Sequence, residues 1–390
     1  VRPFGITLWR ELRDLLRLLM LPAHRRPIVF YSEDISSHIQ FEGYLDELLN
    51  TIGTPVVYVT SAPDDPLFDT HHPLLSVYLV KNALQTWIPK VDSRVLVMTM
   101  PDIGTLHVQR PGNNTFCLHI FHSLNSIHEV YRRGAFDNFD GFFCAGPHHK
   151  LELSQQFERI GKPQPALLEV GYYKLDRISA AHQRYRKRFE DRTTIVLAPS
   201  WGRRNVLEVH GQHIVDRLLR LNVRVVVRPH PCFFQPIYPG GSEIVDAIDR
   251  RFADNPDVVI ERSINSEDAF HEADLMISDY SGAAPEYALG TLRPVLYVDG
   301  PRKRMNPDAG ELGLPTFEDT IRPRIGRVLK ADHVADIEHA AADLLARRSE
   351  FADTLKQLRS EVIYNFGHSA EVGAPIIDAL SKGRVPEREA

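Results

Sequence analysis

The chain has 390 residues, which is long for one hydrophobic core and natural for two domains. It is 43% hydrophobic and 25% charged, and its formal charge of −5 argues against a nucleic-acid-binding protein, which usually carries a basic excess. Its three cysteines, Cys117, Cys144 and Cys232, lack metal-like spacing and read as reduced thiols of a cytoplasmic protein.

Residues 1–26 form a first unit. Leu8, Leu12, Leu15, Leu16 and Leu19 recur at helical spacing, with Trp9 among them and Arg10, Arg13, Arg17, Arg25 and Arg26 supplying positive charge. Such a basic amphipathic helix either lies on an anionic membrane surface or packs on its own domain or a partner. No cleavable signal peptide and no apolar run of membrane-spanning length is recognised. A chain that begins with Val also fits one part of a longer protein.

Residues 27–31 (PIVFY), 56–60, 94–99, 116–121 and 139–144 are short apolar runs and read as strands. Helical segments are expected at 38–51 and 75–86, and a loop at 61–73, which is rich in Pro, Asp and His. Residues 147–187 carry helical patterns broken at Gly161-Lys162-Pro163, then a basic helix with Arg184, Arg186, Lys187 and Arg188. The strand pattern then restarts at 194–200, 222–228, 258–261, 275–277 and 293–298, and the tail from 331 to 380 is mostly helical. Strands alternating with helix-length segments mean βαβ units and parallel sheets, so the chain reads as α/β with two successive Rossmann-like halves joined near 175–192.

In open parallel sheets ligands bind beyond the C-terminal strand ends. Ser200-Trp201-Gly202, Arg228-Pro229-His230 and Ser278-Asp279-Tyr280-Ser281-Gly282 all follow predicted strands, so they fall on one edge of the second half. The last of these is a strand–turn–helix pattern. It either cradles a phosphate, through backbone N–H groups, the hydroxyls of Ser278 and Ser281 and the helix dipole, or simply caps a helix. Prolines on both sides of His230 fix its backbone, and its imidazole is placed to donate to a phosphate oxygen. His122 ends the fourth strand and is the candidate general base, although His119, His128, His148 and His149 are close by in sequence. His148-His149 lacks the spacing of a helical metal pair, so no metal is expected. No GxSxG elbow, Walker loop or clear DxD pair is present.

In order along the chain, these segments resemble the CDP-glycerol glycerophosphotransferases of teichoic-acid and capsule synthesis. Phe121-His122-Ser123 is similar to that family's Trp-His-Gly turn, Gly171 to Asp176 to its Gly-x-Pro-Arg-x-Asp segment, and Leu197 to Trp201 to its Ala-Pro-Thr-Trp strand end. Arg228-Pro229-His230 and Ser278 to Ser281 are near matches to its two strongest motifs, and Asn365 to Ser369 is similar to its Asp-Gly-x-x-Ser segment. Ser123 stands in place of Gly, Tyr173 and Lys174 stand in place of Pro and Arg, and the Lys that follows the first-domain His is missing, with Asn125 and His128 in that region.

The resemblance implies a GT-B fold: two Rossmann-like domains facing a central cleft. It implies an acceptor domain at 27–180, a nucleotide-donor domain at 190–365 and a C-terminal helix and tail at 366–390 crossing back to the first. It implies transfer of a glycerol-phosphate unit from a CDP-linked donor to a hydroxyl of a lipid-linked or polymeric acceptor, without a cofactor. The place implied is the cytoplasm, with peripheral attachment to the inner face of the cell membrane. On that template His122 is the base. His230, Ser278, Asp279, Tyr280, Ser281 and Gly282 surround the donor phosphates, with Ser200, Trp201, Arg203 and Arg228 bordering them. Glu286 then meets the ribose or the transferred group. A GT-B glycosyltransferase using a nucleotide sugar for a surface glycan is the alternative.

Overall fold

The computed structural model describes residues 4–105, 108–112, 114–188, 192–263, 267–300 and 305–384, with side chains from residue 7 onward. Among the described residues, thirteen strands form two parallel sheets. The first contains β1 (Ile28–Ser32), β2 (Val56–Thr60), β3 (Leu75–Leu79), β4 (Val95–Met98), β5 (Phe116–Ile120), β6 (Gly141–Cys144) and β7 (Ala166–Glu169), in the order β3-β2-β1-β4-β5-β6-β7. The second contains β8 (Thr194–Leu197), β9 (Arg224–Val227), β10 (Val258–Ile260), β11 (Leu275–Ser278), β12 (Val295–Asp299) and β13 (Gly326–Lys330), in the order β10-β9-β8-β11-β12-β13. The central strands β1, β4, β8 and β11 are buried along their whole length. Helices cover both faces of such a sheet, so its inner strands are apolar throughout rather than alternating.

The strand order reverses between β1 and β4 in the first sheet and between β8 and β11 in the second. These switch points open crevices at the C-terminal strand ends, and there the chain places its polar turns.

Several elements differ from expectation. Residues 75–86 begin as the edge strand β3, paired with β2 from Val56↔Leu75 to Thr60↔Leu79, and only Leu84–Trp87 is helical. Strands β7 and β13 were not anticipated at all. The basic stretch is not a helix, because the helix Tyr173–Arg184 stops at its first residue. Beyond it, Lys187 pairs with Asp274, and Arg188 pairs with Asp268 while its N–H donates to Glu272. The N-terminal helix, Phe4–Leu19, lies against β3 with its acidic side inward. Glu11 and Asp14 are buried, while Leu8, Trp9, Leu12, Leu16, Leu19 and Met20 stay exposed.

The tail crosses between the domains. The helix Arg348–Val362 packs on the second domain through Leu355 and Leu358. The helix Ser369–Ser381 then returns to the first, where Ala374, Ile377 and Leu380 join a core with Tyr44 and Phe143.

Candidate active site

Two rims face each other. On the first-domain rim, His122 follows β5. Its main-chain oxygen accepts a hydrogen bond from the Tyr172 hydroxyl at 2.8 Å, and its Nε2 lies 3.5 Å from the Tyr131 hydroxyl. The ring meets solvent inside the cleft. Protein crowded around it nonetheless strips away enough bulk water to lower its pKa, and the positive charge of Lys174 lowers it further, against the opposing charges of Glu286 and Asp34. A neutral imidazole is the form that can accept a proton.

The neighbouring histidines have other duties. His119 is fully buried in a cage of Phe121, Phe136, Phe139 and Phe142, which pushes its pKa well down. His148 Nε2 meets the Leu124 carbonyl at 2.9 Å and His149 Nε2 meets that of Asn125 at 3.2 Å, so both hold the loop after His122. His128 sits 3.0 Å from Glu152, which raises its pKa. The same loop is bolted to the second domain: Phe317 N donates to Ser126 Oγ at 2.6 Å, and Asn306 Nδ2 donates to the His128 carbonyl at 2.8 Å. Among the described residues no group of His, Cys, Asp and Glu is arranged to hold a metal ion.

One first-domain group was not singled out from sequence. Glu33, just past β1, has its carboxyl pushed up to about 7 by loss of bulk water and by the adjacent charge of Asp34. Asp34 itself caps the helix Ile35–Asp46, accepting from Ser36 N at 2.9 Å and Ser37 N at 3.1 Å. An acidic pair directly after a strand was the available signal.

On the second-domain rim, the turn 278–282 is built differently from expectation. The Ser278 hydroxyl is buried and donates to the Ala198 carbonyl at 2.7 Å, so it faces the sheet. Asp279 is buried and accepts from Ser200 N at 2.7 Å and Val206 N at 3.1 Å. It therefore clamps the 198–206 loop and offers no cation to a phosphate. The Tyr280 hydroxyl donates to Asp299 at 3.1 Å, with Arg322 over its ring. Ser281 Oγ accepts from Ala283 N at 3.4 Å.

What the turn does present is a helix start. Ser281 already takes the first N–H groups of the helix Ala283–Thr291, through its Oγ from Ala283 and its carbonyl from Ala284, and Pro285 has none, so what the start presents to the cleft is the positive end of the helix dipole. A Cβ on Gly282 would lie 3.0 Å from Asn125 Oδ1, so the first-domain loop reaches onto this turn and only glycine fits without displacement. His230 Nδ1 accepts from Cys232 N at 3.2 Å, which caps the short turn Pro231–Phe234 and, in the neutral ring, leaves the proton on Nε2. Trp201 lies beside it, ring centroids 6.2 Å apart, and Arg203 is exposed on the same loop. Arg228 is held by Glu261 at 3.9 Å and by the Phe270 ring at 4.9 Å. Glu286 is 3% exposed and both its oxygens are engaged, by the Tyr172 hydroxyl at 2.7 Å and Lys174 Nζ at 2.7 Å. It bridges the domains rather than standing open for a ribose.

No model of a known protein family matches the chain, and no curated protein sequence matches it. Among solved structures, the wall teichoic acid polymerase TagF is similar over 99% of this chain and 100% of its own, with a TM-score of 0.59 at 13% identity. A UDP-N-acetylglucosamine 2-epimerase is similar over 93% of this chain and 98% of its own, with a TM-score of 0.57 at 13% identity. At these identities the likeness is one of fold. The chain has the GT-B fold, two Rossmann-like domains that face one another across a cleft.

Proposed function

We propose that this protein transfers a glycerol-phosphate unit from CDP-glycerol to a hydroxyl of a lipid-linked or polymeric acceptor in cell-envelope polymer synthesis. The observation that carries the reading is the meeting, at one cleft, of a crowded neutral histidine after β5 with the positive end of a helix dipole after β11. The order of motifs along the chain supports it, and so does the likeness to TagF, whose structure was determined after a soak with CDPG. His122 removes the acceptor proton as the acceptor oxygen attacks the glycerol-bearing phosphorus. The bond from that phosphorus to the oxygen of CMP breaks, and the helix start at Gly282 and His230 Nε2–H balance the charge gathering on the departing CMP. The protein contributes position and electrostatics.

His122→Ala is expected to lower turnover on the order of 100- to 10,000-fold. His230→Ala is expected to lower it on the order of 100- to 1,000-fold. Release of CMP from CDP-glycerol, followed by chromatography, measures both, and near-normal rates in the two variants overturn the mechanism. A nucleotide-sugar donor is the second reading, favoured by the equally good fit to an enzyme that handles a UDP-sugar. Thermal-shift screening with CDP-glycerol, CDP-ribitol and sugar nucleotides separates the two by which ligand raises the melting temperature.

The acceptor side of this reading includes a membrane surface. Trp9 is 75% and Met20 74% exposed beside the bare leucines of the N-terminal helix, with exposed Arg13 and Arg17 along the border. Apolar side chains flanked by cations suit an anionic bilayer. Replacing Leu8, Leu12 and Leu16 together by Ser is expected to abolish sedimentation with phosphatidylglycerol vesicles while leaving the melting temperature unchanged. No described helix is long and apolar enough to cross a membrane.

A further inference from the structure

Glu286 connects the two domains. It stands in the first turn of the helix Ala283–Thr291, yet its two oxygens bind Tyr172 and Lys174 of the first domain, each at 2.7 Å. Tyr172 is fully enclosed, and its hydroxyl also lies 2.8 Å from the His122 carbonyl. That hydroxyl has one hydrogen and two acceptors. It shares that hydrogen between the two in a three-centre bond, at 2.7 Å from Glu286 and 2.8 Å from the His122 carbonyl, with the carboxylate the stronger acceptor. A continuous chain therefore runs from Lys174 through Glu286 and Tyr172 to the main chain of the candidate base.

We propose that Lys174, Tyr172 and Glu286 form one positioning device that ties the donor half of the cleft to His122, with Lys174 and Glu286 acting on its ring as opposed charges. The proposal rests on the reading of His122 as the base. None of the three needs to touch the reacting atoms: Lys174 acts by charge, Tyr172 by holding the His122 carbonyl, and Glu286 by joining them.

The groups acting on His122 come from every element around it. Lys174, at the start of the helix Tyr173–Arg184, lowers its proton affinity, and Glu286 and Asp34 raise it. Tyr131 lies at 3.5 Å, and His119 sits behind it in β5. The signs separate the members of the pair. Lys174→Met removes a positive charge and leaves the Glu286 charge unpaired, so both changes push the His122 pKa up. Glu286→Gln removes a negative charge and leaves the Lys174 charge, so it pushes the pKa down. A pair whose charges do not reach the ring would leave its titration unmoved in both variants.

The test is an NMR titration of ring-labelled histidine in the intact protein, with His122→Asn identifying the His122 signal among the 18 histidines. The expected result is an upward shift of the His122 titration in Lys174→Met, a downward shift in Glu286→Gln, and recovery toward the parent curve in Lys174→Arg. An unmoved titration, or shifts of the same sign in both variants, overturns the proposal. Should Lys174→Met fail to fold, the downward shift in Glu286→Gln carries the test alone. The titration needs no substrate, whereas the reading of His122 as base stands or falls on turnover of His122→Ala, so the two fail separately.

Discussion

At the scale of single residues, the 278–282 turn separates groups that build a site from groups that serve it. Asp279 was the acidic member of an apparent phosphate cradle, and a carboxylate beside a pyrophosphate would repel it. Its two oxygens instead satisfy Ser200 N and Val206 N, so its role is to shape the loop carrying Trp201 and Arg203. Asp279→Ala leaves those two N–H groups without their buried acceptor and is expected to cost about 3 kcal/mol of stability, read by urea unfolding, with weakened donor binding. Ser278→Ala removes only one neutral hydrogen bond, to the Ala198 carbonyl, and is expected to cost about 1 kcal/mol with donor affinity retained. A large loss of donor affinity in Ser278→Ala would return that hydroxyl to the cradle. Sequence placed both residues at the right edge but not their orientation. A residue at a strand end turns toward the ligand or toward the sheet according to which buried backbone groups need a partner, and those groups belong to β8 and its loop, about eighty residues away. The histidines teach the same point. The sequence crowds five of them between 119 and 149, and only their partners tell the core ring of His119 from the cleft ring of His122.

At the scale of elements, the inner strands and the edge strand β10 were legible, and the other three edges were not. β3, β7 and β13 escaped detection, and all three are edge strands. An edge strand has one neighbour and is partly open to water, so it lacks the continuous apolar run that marks a buried parallel strand. β13, Gly326-Arg-Val-Leu-Lys, buries only Leu329 fully. The edge at β3 also explains the inverted N-terminal helix, whose leucine stripe predicted an inward-facing apolar side or a lipid contact. The exposed edge offers unpaired N–H groups, and these select carboxylates. Glu11 accepts from Lys81 N at 2.7 Å and Ala83 N at 2.9 Å, and Asp14 accepts from Leu79 N at 3.2 Å. The hydrophobic pattern cannot reveal this, because Leu18 and Leu15 supply the apolar contact with the domain and the rest of the inward face is held by the hydrogen bonds of these two carboxylates. Glu11→Ala is therefore expected to destabilise the helix's attachment by about 3 kcal/mol, whereas Leu12→Ala, at an exposed position, stays within about 0.5 kcal/mol of the parent. Limited proteolysis in the first 25 residues checks the contrast, with rapid cleavage only in the Glu11 variant.

At the scale of the whole molecule, two distant segments of the resemblance turn out to be one structural joint. Asp176 accepts from Gly367 N at 2.7 Å and Ser369 N at 3.0 Å, so the segment Gly171 to Asp176 holds the start of the returning helix. Gly171 has a φ of +105°, and a Cβ there would strike the Tyr364 carbonyl and the Ser369 side chain. Both the conformation and the space demand glycine. The joint fastens the helix Ser369–Ser381, whose Ile377 is fully buried against the first domain and whose Asp378 accepts from Thr54 Oγ1 at 2.6 Å. By sequence this helix follows the second domain, but by packing it belongs to the first. Ile377→Ala is expected to cost about 3 kcal/mol through the cavity it leaves. If packing rather than chain order decides, the loss falls on the first sheet. Amide hydrogen exchange should then quicken in β1 and β4 while β8 and β11 keep their protection, because local stability follows the unit in which a side chain is buried. Equal quickening in both sheets would mean that the two domains open as one cooperative unit, and quickening confined to the second sheet would overturn the assignment of this helix.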